Sequence, residues 1–470
     1  MTRNRFALAL PLAAALFSAV QAQAGETIVD AGARTALGLT LYQGNLALVD
    51  ERRRVMFTGG PATLAFDHVS RALDAASVSI DAGAGSRVTA VSLQADLLTP
   101  DNLLNRSLGR RIGVVKTHPT TGAETVVEAE VLSVAGGLVL KIGDRIETGR
   151  PGRLVFFNQP ADLRPRPALL ADISGAAEGP RQVRLAYLSG GMGWRANYTI
   201  ELAPDGDRLD LAARAALHNS SGVAFENATV RLVAGDVRRQ APRRALMRAA
   251  KAGMQDAAEM AASPGPGREQ LESFHLYTLP QPITLRDRET KQVALLSADS
   301  VEVQRQLVSR AAPAVHGTQR GTPPPSHPET RLRFLNARAD RQPLPGGLAR
   351  IYAHDTTGNL QFIGEDRVRN TPVGGAVTLT MGRAFDVRVK RTQTAFQRIG
   401  NRVTETAYRI ELENGGDEVA DVRVEETIPG DWRVIEESGH HAREGAAAVW
   451  RVTVPAKGKA DMDYRVRVER

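Results

Sequence analysis

Apolar and polar residues alternate along most of this chain, and the clearest run lies between Val183 and Val237. Val183, Leu185 and Tyr187 share one face, as do Trp194, Ala196, Tyr198, Ile200 and Leu202. Leu209, Leu211, Ala213, Ala215 and Leu217 repeat the pattern, and Val230, Leu232 and Ala234 close it. A period of two places successive side chains on opposite faces of a strand. Between the runs stand Ser189-Gly190-Gly191-Met192-Gly193, Pro204-Asp205-Gly206 and Asn219-Ser220-Ser221-Gly222, which are turn chemistry. The spacing predicts a four-strand antiparallel meander with one face buried.

The same pattern, in shorter pieces, covers the rest of the chain. Residues 25–108 read as an N-terminal β region, with strands at Leu37-Leu39-Leu41, Leu64-Phe66 and Val78-Ile80 and one short helix opened by Asp101. Residues 109–159 carry five short glycine-separated strands, which predict a small SH3-like β-barrel. Residues 160–400 predict a large β-sandwich holding two disordered insertions, near 241–270 and 311–330; the second carries Pro323-Pro324-Pro325. Residues 401–470 predict an immunoglobulin-like C-terminal sandwich without cysteines. The expected fold class is therefore all-β with few short helices.

One stretch carries more than a period. Tyr187-Leu-Ser-Gly-Gly-Met-Gly-Trp194-Arg-Ala-Asn-Tyr198, followed by Val230-Arg-Leu-Val-Ala-Gly-Asp236-Val237, resembles the bacterial DUF4139 family, in which a Gly-x-x-Trp-x-Ala/Pro-x-Tyr strand precedes a Leu-x-Ala-Gly-x-Val/Pro strand. Phe274-His-Leu-Tyr277-Thr-Leu-Pro280, Thr290-Lys291-Gln292 and Gly430-Asp431-Trp432 fit the same family, and the resemblance covers roughly 160 to 470. It implies a fold and an exported compartment. The family's function is undefined, so no catalytic residue is carried over.

Residues 1–24 have the form of a signal peptide: Arg3 and Arg5, an apolar run from Phe6 to Val20, then Ala22-Gln23-Ala24 as a small-x-small cleavage site. That run is shorter than a bilayer-spanning helix needs, and no later segment is apolar enough, so no transmembrane span is expected in the mature chain. The expected location is periplasmic or secreted. With no cysteine in 470 residues, thiol catalysis, zinc-thiolate sites and disulfides are excluded. The formal charge of +8 is carried almost wholly by arginine and is spread over every strand, commonly near Asp or Glu. A nucleic-acid surface would gather basic residues on one face among stacking aromatics, so no nucleic-acid partner is expected.

Motifs for chemistry are few. There is no Gly-x-Ser-x-Gly elbow and no His-Glu-x-x-His, and Gly190-Gly191-Met192-Gly193 leads into a strand, so it lacks the helix N-terminus that holds phosphate. Asp205, Asp207 and Asp210 imitate a calcium loop only loosely, with Gly206 misplaced for one. Glu436, Glu437, His440 and His441 are close enough in sequence for a surface metal site, but Gly439 and Gly445 mark a loop, and no metal or other cofactor is expected. The most enzyme-like set is His354 and Asp355 with Glu365 and Asp366, which a hairpin would bring to neighbouring strand ends for acid–base work on a glycan. Trp194 and Trp432 are the candidate binding residues, as sugar-stacking platforms, although alternating strands more often bury tryptophan. The expected role is a non-enzymatic binding or scaffolding module of the envelope, with a protein or polymer partner; a glycan-directed hydrolase is the alternative.

Overall fold

The computed structural model describes residues 26–160, 163–235, 237, 270–271, 274–319, 321, 323–337 and 342–469. The signal peptide expected at 1–24 and nearly all of the insertion expected at 241–270 lie outside these residues. The chain divides into two compact units, Met1–Leu37 with Val49–Leu188, and Gly38–Leu48 with Ser189–Arg470. Strands dominate both, and the described helices are short.

In the first unit, Glu26–Val29, Gly60–Phe66, Ala168–Ala176 and Arg87–Gln94 form a four-stranded sheet in that order. Leu64, Phe66, Leu169, Ala171 and Ile173 are buried in it. The guanidinium of Arg53 is fully buried beside them: it pairs with Glu51 at 2.7 Å, donates to the carbonyls of Val29 and Asp67, and lies 5.7 Å over the Phe66 ring. Each charge is thereby partnered, as burial requires. Five strands do fall between 109 and 159, Arg111–Thr117, Glu124–Ser133, Val139–Ile142, Arg145–Thr148 and Arg153–Val155, but Val126-Val127 and Val131-Leu132, which the sequence separates, share one strand, and Arg145–Thr148 is not among those expected. They form an open antiparallel sheet with Arg145–Thr148 at one edge and Arg153–Val155 at the other, and not a closed barrel. Leu104 of the helix Pro100–Arg106 packs on its apolar face with Ile112, Val114, Val131 and Leu140. The helix is capped by Thr99, whose hydroxyl accepts from Asn102 N, and not by Asp101; Pro100 at the first helical position moves the start back.

In the second unit the predicted meander is broken up. Met192–Leu202 and Arg208–Asn219 pair as an antiparallel hairpin across Pro204-Asp205-Gly206, as expected. Phe225–Ala234 instead runs parallel to the segment Gly38–Tyr42 and antiparallel to Phe274–Thr278, and Gly179–Ser189 lies in a different sheet from Met192–Leu202. Alternation fixes which side chains are buried but leaves the neighbour open. On its free side Met192–Leu202 takes Gly347–His354 in parallel.

The longest strand, Glu289–Ala311, pairs first with Arg208–Asn219, then from Val303 with Glu329–Leu335, and from Leu307 in parallel with Ala420–Thr427. It thus joins the hairpin sheet to a C-terminal sandwich. One layer of that sandwich contains Val387–Arg398, Val403–Asn414, Lys459–Glu469 and Asp431–Glu437; the other contains Ala420–Thr427 and Ala447–Val454. Their shared core includes Tyr408, Ile410, Val424, Trp432, Trp450, Tyr464 and Val466, and it also recruits Val315, Val387 and Val389 from before residue 401.

The segment expected to be a disordered insertion at 311–330 is tied down where it is described. Val315 is buried, its carbonyl accepts from Thr404 Oγ1, Ala314 N donates to Tyr408 Oη, and Gln393 Nε2 donates to the carbonyls of Ala314 and Gly317. Its prolines rule out a regular ladder but leave carbonyls free for side-chain donors.

Candidate functional site

The sequence-predicted catalytic set does not assemble. Gly347–His354 and Leu360–Val368 form the expected hairpin, with His354 opposite Leu360, Arg350 opposite Glu365 and Ala349 opposite Asp366. Both carboxylates of the second pair are therefore at least four residues from the turn, about 13 Å along a strand, and as neighbours they point to opposite faces. Asp355 is exposed, and its carboxylate accepts from Thr357 Oγ1, from the amides of Thr357 and Asn359, and from Gln361 Nε2. The Thr357 hydroxyl leads these donors in holding the acid well below the ordinary aspartate range. Asp366 accepts from Thr380 N at 2.7 Å and Arg367 N at 2.7 Å, and Glu365 lies 3.6 Å from Arg350. Asp355 thus serves its turn, and Glu365 and Asp366 make cross-strand contacts.

Trp194 and Trp432, the candidate stacking platforms, are both core residues, 0% and 3% exposed. A sugar ring has no access to either face. The Trp432 ring is covered by the Arg443 guanidinium at 4.3 Å. In the Glu436–His441 group, Glu436 pairs with Arg465, while Glu437 Oε2 accepts from Trp450 Nε1 at 3.0 Å and lies 2.9 Å from His441 Nδ1. Partial burial opposes ionisation of Glu437, but these donors outweigh it and lower its pKa.

What the structure does bring together is the resemblance motif itself. Trp194 Nε1 donates to the Val233 carbonyl at 3.0 Å, so the two halves of the signature meet. Tyr277 packs edge-on to Trp194 at 6.3 Å and donates to the Pro343 carbonyl; Tyr198 donates to the Pro345 carbonyl and Gln43 Nε2 to that of Gly346. Three side chains thus hold the segment Pro343–Gly346, which precedes the strand parallel to Met192–Leu202. Two glycines permit the approach. A Cβ on Gly193 would stand 2.0 Å from the Gly44 carbonyl oxygen, and one on Gly347 would stand 2.2 Å from that of Ala196. The motif is a packing junction.

A groove of about 1080 Å³ lies elsewhere in the same unit, where Glu289–Ala311 changes partners. Its walls are Ser297 to Gln304, the hairpin end Asp207-Arg208, and Arg333, Phe334, Leu335 and Ala337. Its lining mixes polar and apolar groups: Val303 and Phe334, opposite each other across two strands, are buried, and Leu335, on the other face of its strand, is half exposed. Ser300 has φ +54°, a left-handed conformation that costs a non-glycine residue about 1–2 kcal/mol. The hairpin strand compensates: Asp210 Oδ1 accepts from Ser300 N at 2.7 Å, and Arg208 donates to Ser300 Oγ at 2.9 Å. The register slips at this bulge, between Leu209 and Leu211. Asp205, hydrogen-bonded beside Asp207, raises the Asp207 pKa. Of the three aspartates that imitate a calcium loop, Asp210 thus fixes a bulge and the other two crowd each other at the turn. The alternation of residues 160–400 does not announce this groove; the signal for it is Asp299-Ser300, which interrupts a run that resumes in phase at Val301 and Val303.

The architecture and the junction define the class: an all-β, multi-sheet protein whose signature residues join strands by packing and side-chain-to-carbonyl bonds. The chain belongs to the family DUF4139, a domain of unknown function, whose model matches residues 183–470. Comparison with curated proteins gives no match.

Proposed function

We propose that this chain is a non-enzymatic envelope protein, exported by its signal peptide to the periplasm or the medium, that acts as a binding or scaffolding module for a protein or polymer partner. The observation that carries the reading is the use of the polar residues: Asp355 is spent on its turn and Glu365 and Asp366 on cross-strand contacts, while a broad groove of mixed polar and apolar lining lies beside a pinned bulge. Concave, mixed apolar and polar surfaces on a rigid scaffold suit binding. Among the described residues no helix is long and apolar enough to cross a membrane.

The test is crosslinking in the cells that make the protein, followed by recovery of the mature chain and fractionation. Recovery of one reproducible envelope partner is the expected result. Recovery of the chain alone at every crosslinker length, or turnover of a glycan by the purified protein, would overturn the reading.

A further inference from the structure

Among the described residues, the part of the long strand from Glu289 to Glu302 has ladder partners along one edge only, those of Arg208–Asn219; a second strand is first met at Val303. The open stretch from Ser297 to Glu302 forms one wall of the groove. An unpaired strand edge presents N–H and C=O groups in register for another chain, and proteins usually blunt or cover such edges. Here the bulge at Ser300 is held from the paired side by Asp210 and Arg208, so the edge is preorganised.

We propose that this edge and groove are the docking site for an extended, basic segment of a partner protein, which adds to Ser297–Glu302 as a further strand. The proposal rests on the binding-module reading and names the kind of partner. Strand addition draws affinity from main-chain hydrogen bonds and specificity from alternate side chains. Leu335 presents apolar surface to the groove, and the set of alternate side chains that meets it would be aliphatic. The rim sets the sign of the other. Asp207, Asp299 and Glu302 line the groove against Arg208 and Arg333, and Arg208 is already engaged with Ser300. Asp205 and Asp210 stand beside them in the hairpin, so the carboxylates at this end outnumber the guanidinium groups, and Arg or Lys on the added strand would complement them.

The probe is a fluorescent peptide alternating Arg and Val, titrated into the full chain at low ionic strength. The expected result is saturable binding that weakens as salt is raised and is about tenfold weaker for a Glu–Val peptide. Methylating alternate backbone nitrogens of the peptide should abolish it, because this removes strand hydrogen bonds and keeps every charge. The double substitution Asp299→Lys with Glu302→Lys, its fold checked by circular dichroism, should weaken the Arg–Val peptide by about tenfold or more. Equal binding by that variant, or by the methylated peptide, would overturn the assignment. So would a partner recovered by crosslinking in cells that forms no adduct with a photo-reactive residue placed at Leu335; the binding-module reading would then stand without this groove. If no partner is recovered and the peptide does not bind, both fall.

Discussion

The indole nitrogen of Trp194 donates to the carbonyl of Val233 at 3.0 Å, deep in the core and thirty-nine residues apart in sequence. Replacing Trp194 by Phe keeps an aromatic ring but leaves that buried carbonyl without its donor. The expected loss is about 1–3 kcal/mol, read as a lower midpoint in urea with an unchanged slope. Were the indole a ligand platform instead, stability would hold and only binding would fall.

Gly193 and Gly206 make a contrast in kind. A methyl at Gly193 meets the Gly44 carbonyl oxygen and the His218 ring, so Gly193→Ala forces two strands apart and should cost about 1–3 kcal/mol or more. Gly206, at the hairpin tip, has open space around it and φ +75°, so Gly206→Ala carries only the left-handed strain of about 1–2 kcal/mol. Thermal melts of the pair, with Gly193→Ala melting at or below Gly206→Ala, check the assignment of the motif to packing.

Acid sensitivity should depend on Glu437. Its pKa in the folded chain is lowered, against the effect of burial, by Trp450 Nε1 and His441. A depressed carboxylate contributes stability above its unfolded value near 4.5, and that contribution is lost as pH falls through the folded value. Glu437→Gln should therefore destabilise the chain at neutral pH and flatten its acid limb. Parallel acid titrations of the two proteins, followed by tryptophan fluorescence, would decide it; superimposable limbs would mean that the carboxylate does not act this way.

The bulge at Ser300 gives a local readout. Asp210→Ala removes the acceptor of Ser300 N and, at about 1 kcal/mol, should speed hydrogen exchange around Ser297–Gln304 severalfold. Asp210→Asn keeps an oxygen in place and should restore most of the protection. Exchange that is unchanged in Asp210→Ala would show that the bulge holds itself.

Alternation made the strands legible, and glycine with aspartate made the turns legible, because both are local consequences of backbone geometry. Partner choice was not. Val230, Leu232 and Ala234 alternate as the residues of Arg208–Asn219 do, yet Phe225–Ala234 leaves its sequence neighbour for Gly38–Tyr42, a choice that alternation does not encode. The candidate site fared worse for the same reason. His354, Asp355, Glu365 and Asp366 lie on one hairpin, as read, but its register fixes them at different heights. The groove depends on a strand changing partners, which no single segment reveals. Burial of Trp194 and Trp432 followed from the alternation that surrounds them.

The strand Glu289–Ala311 belongs at once to the hairpin sheet and to the sandwich beyond it. A fragment beginning at residue 401 would arrive without Val315, Val387 and Val389 in its interior and without Leu307–Ala311 along its flank. Anyone excising that tail as a free-standing module would expose a raw hydrophobic seam, and recombination that cut there would yield aggregates. The stretch from the central hairpin to the C-terminal sandwich is thus a single heritable piece, and shuffling could move it only whole.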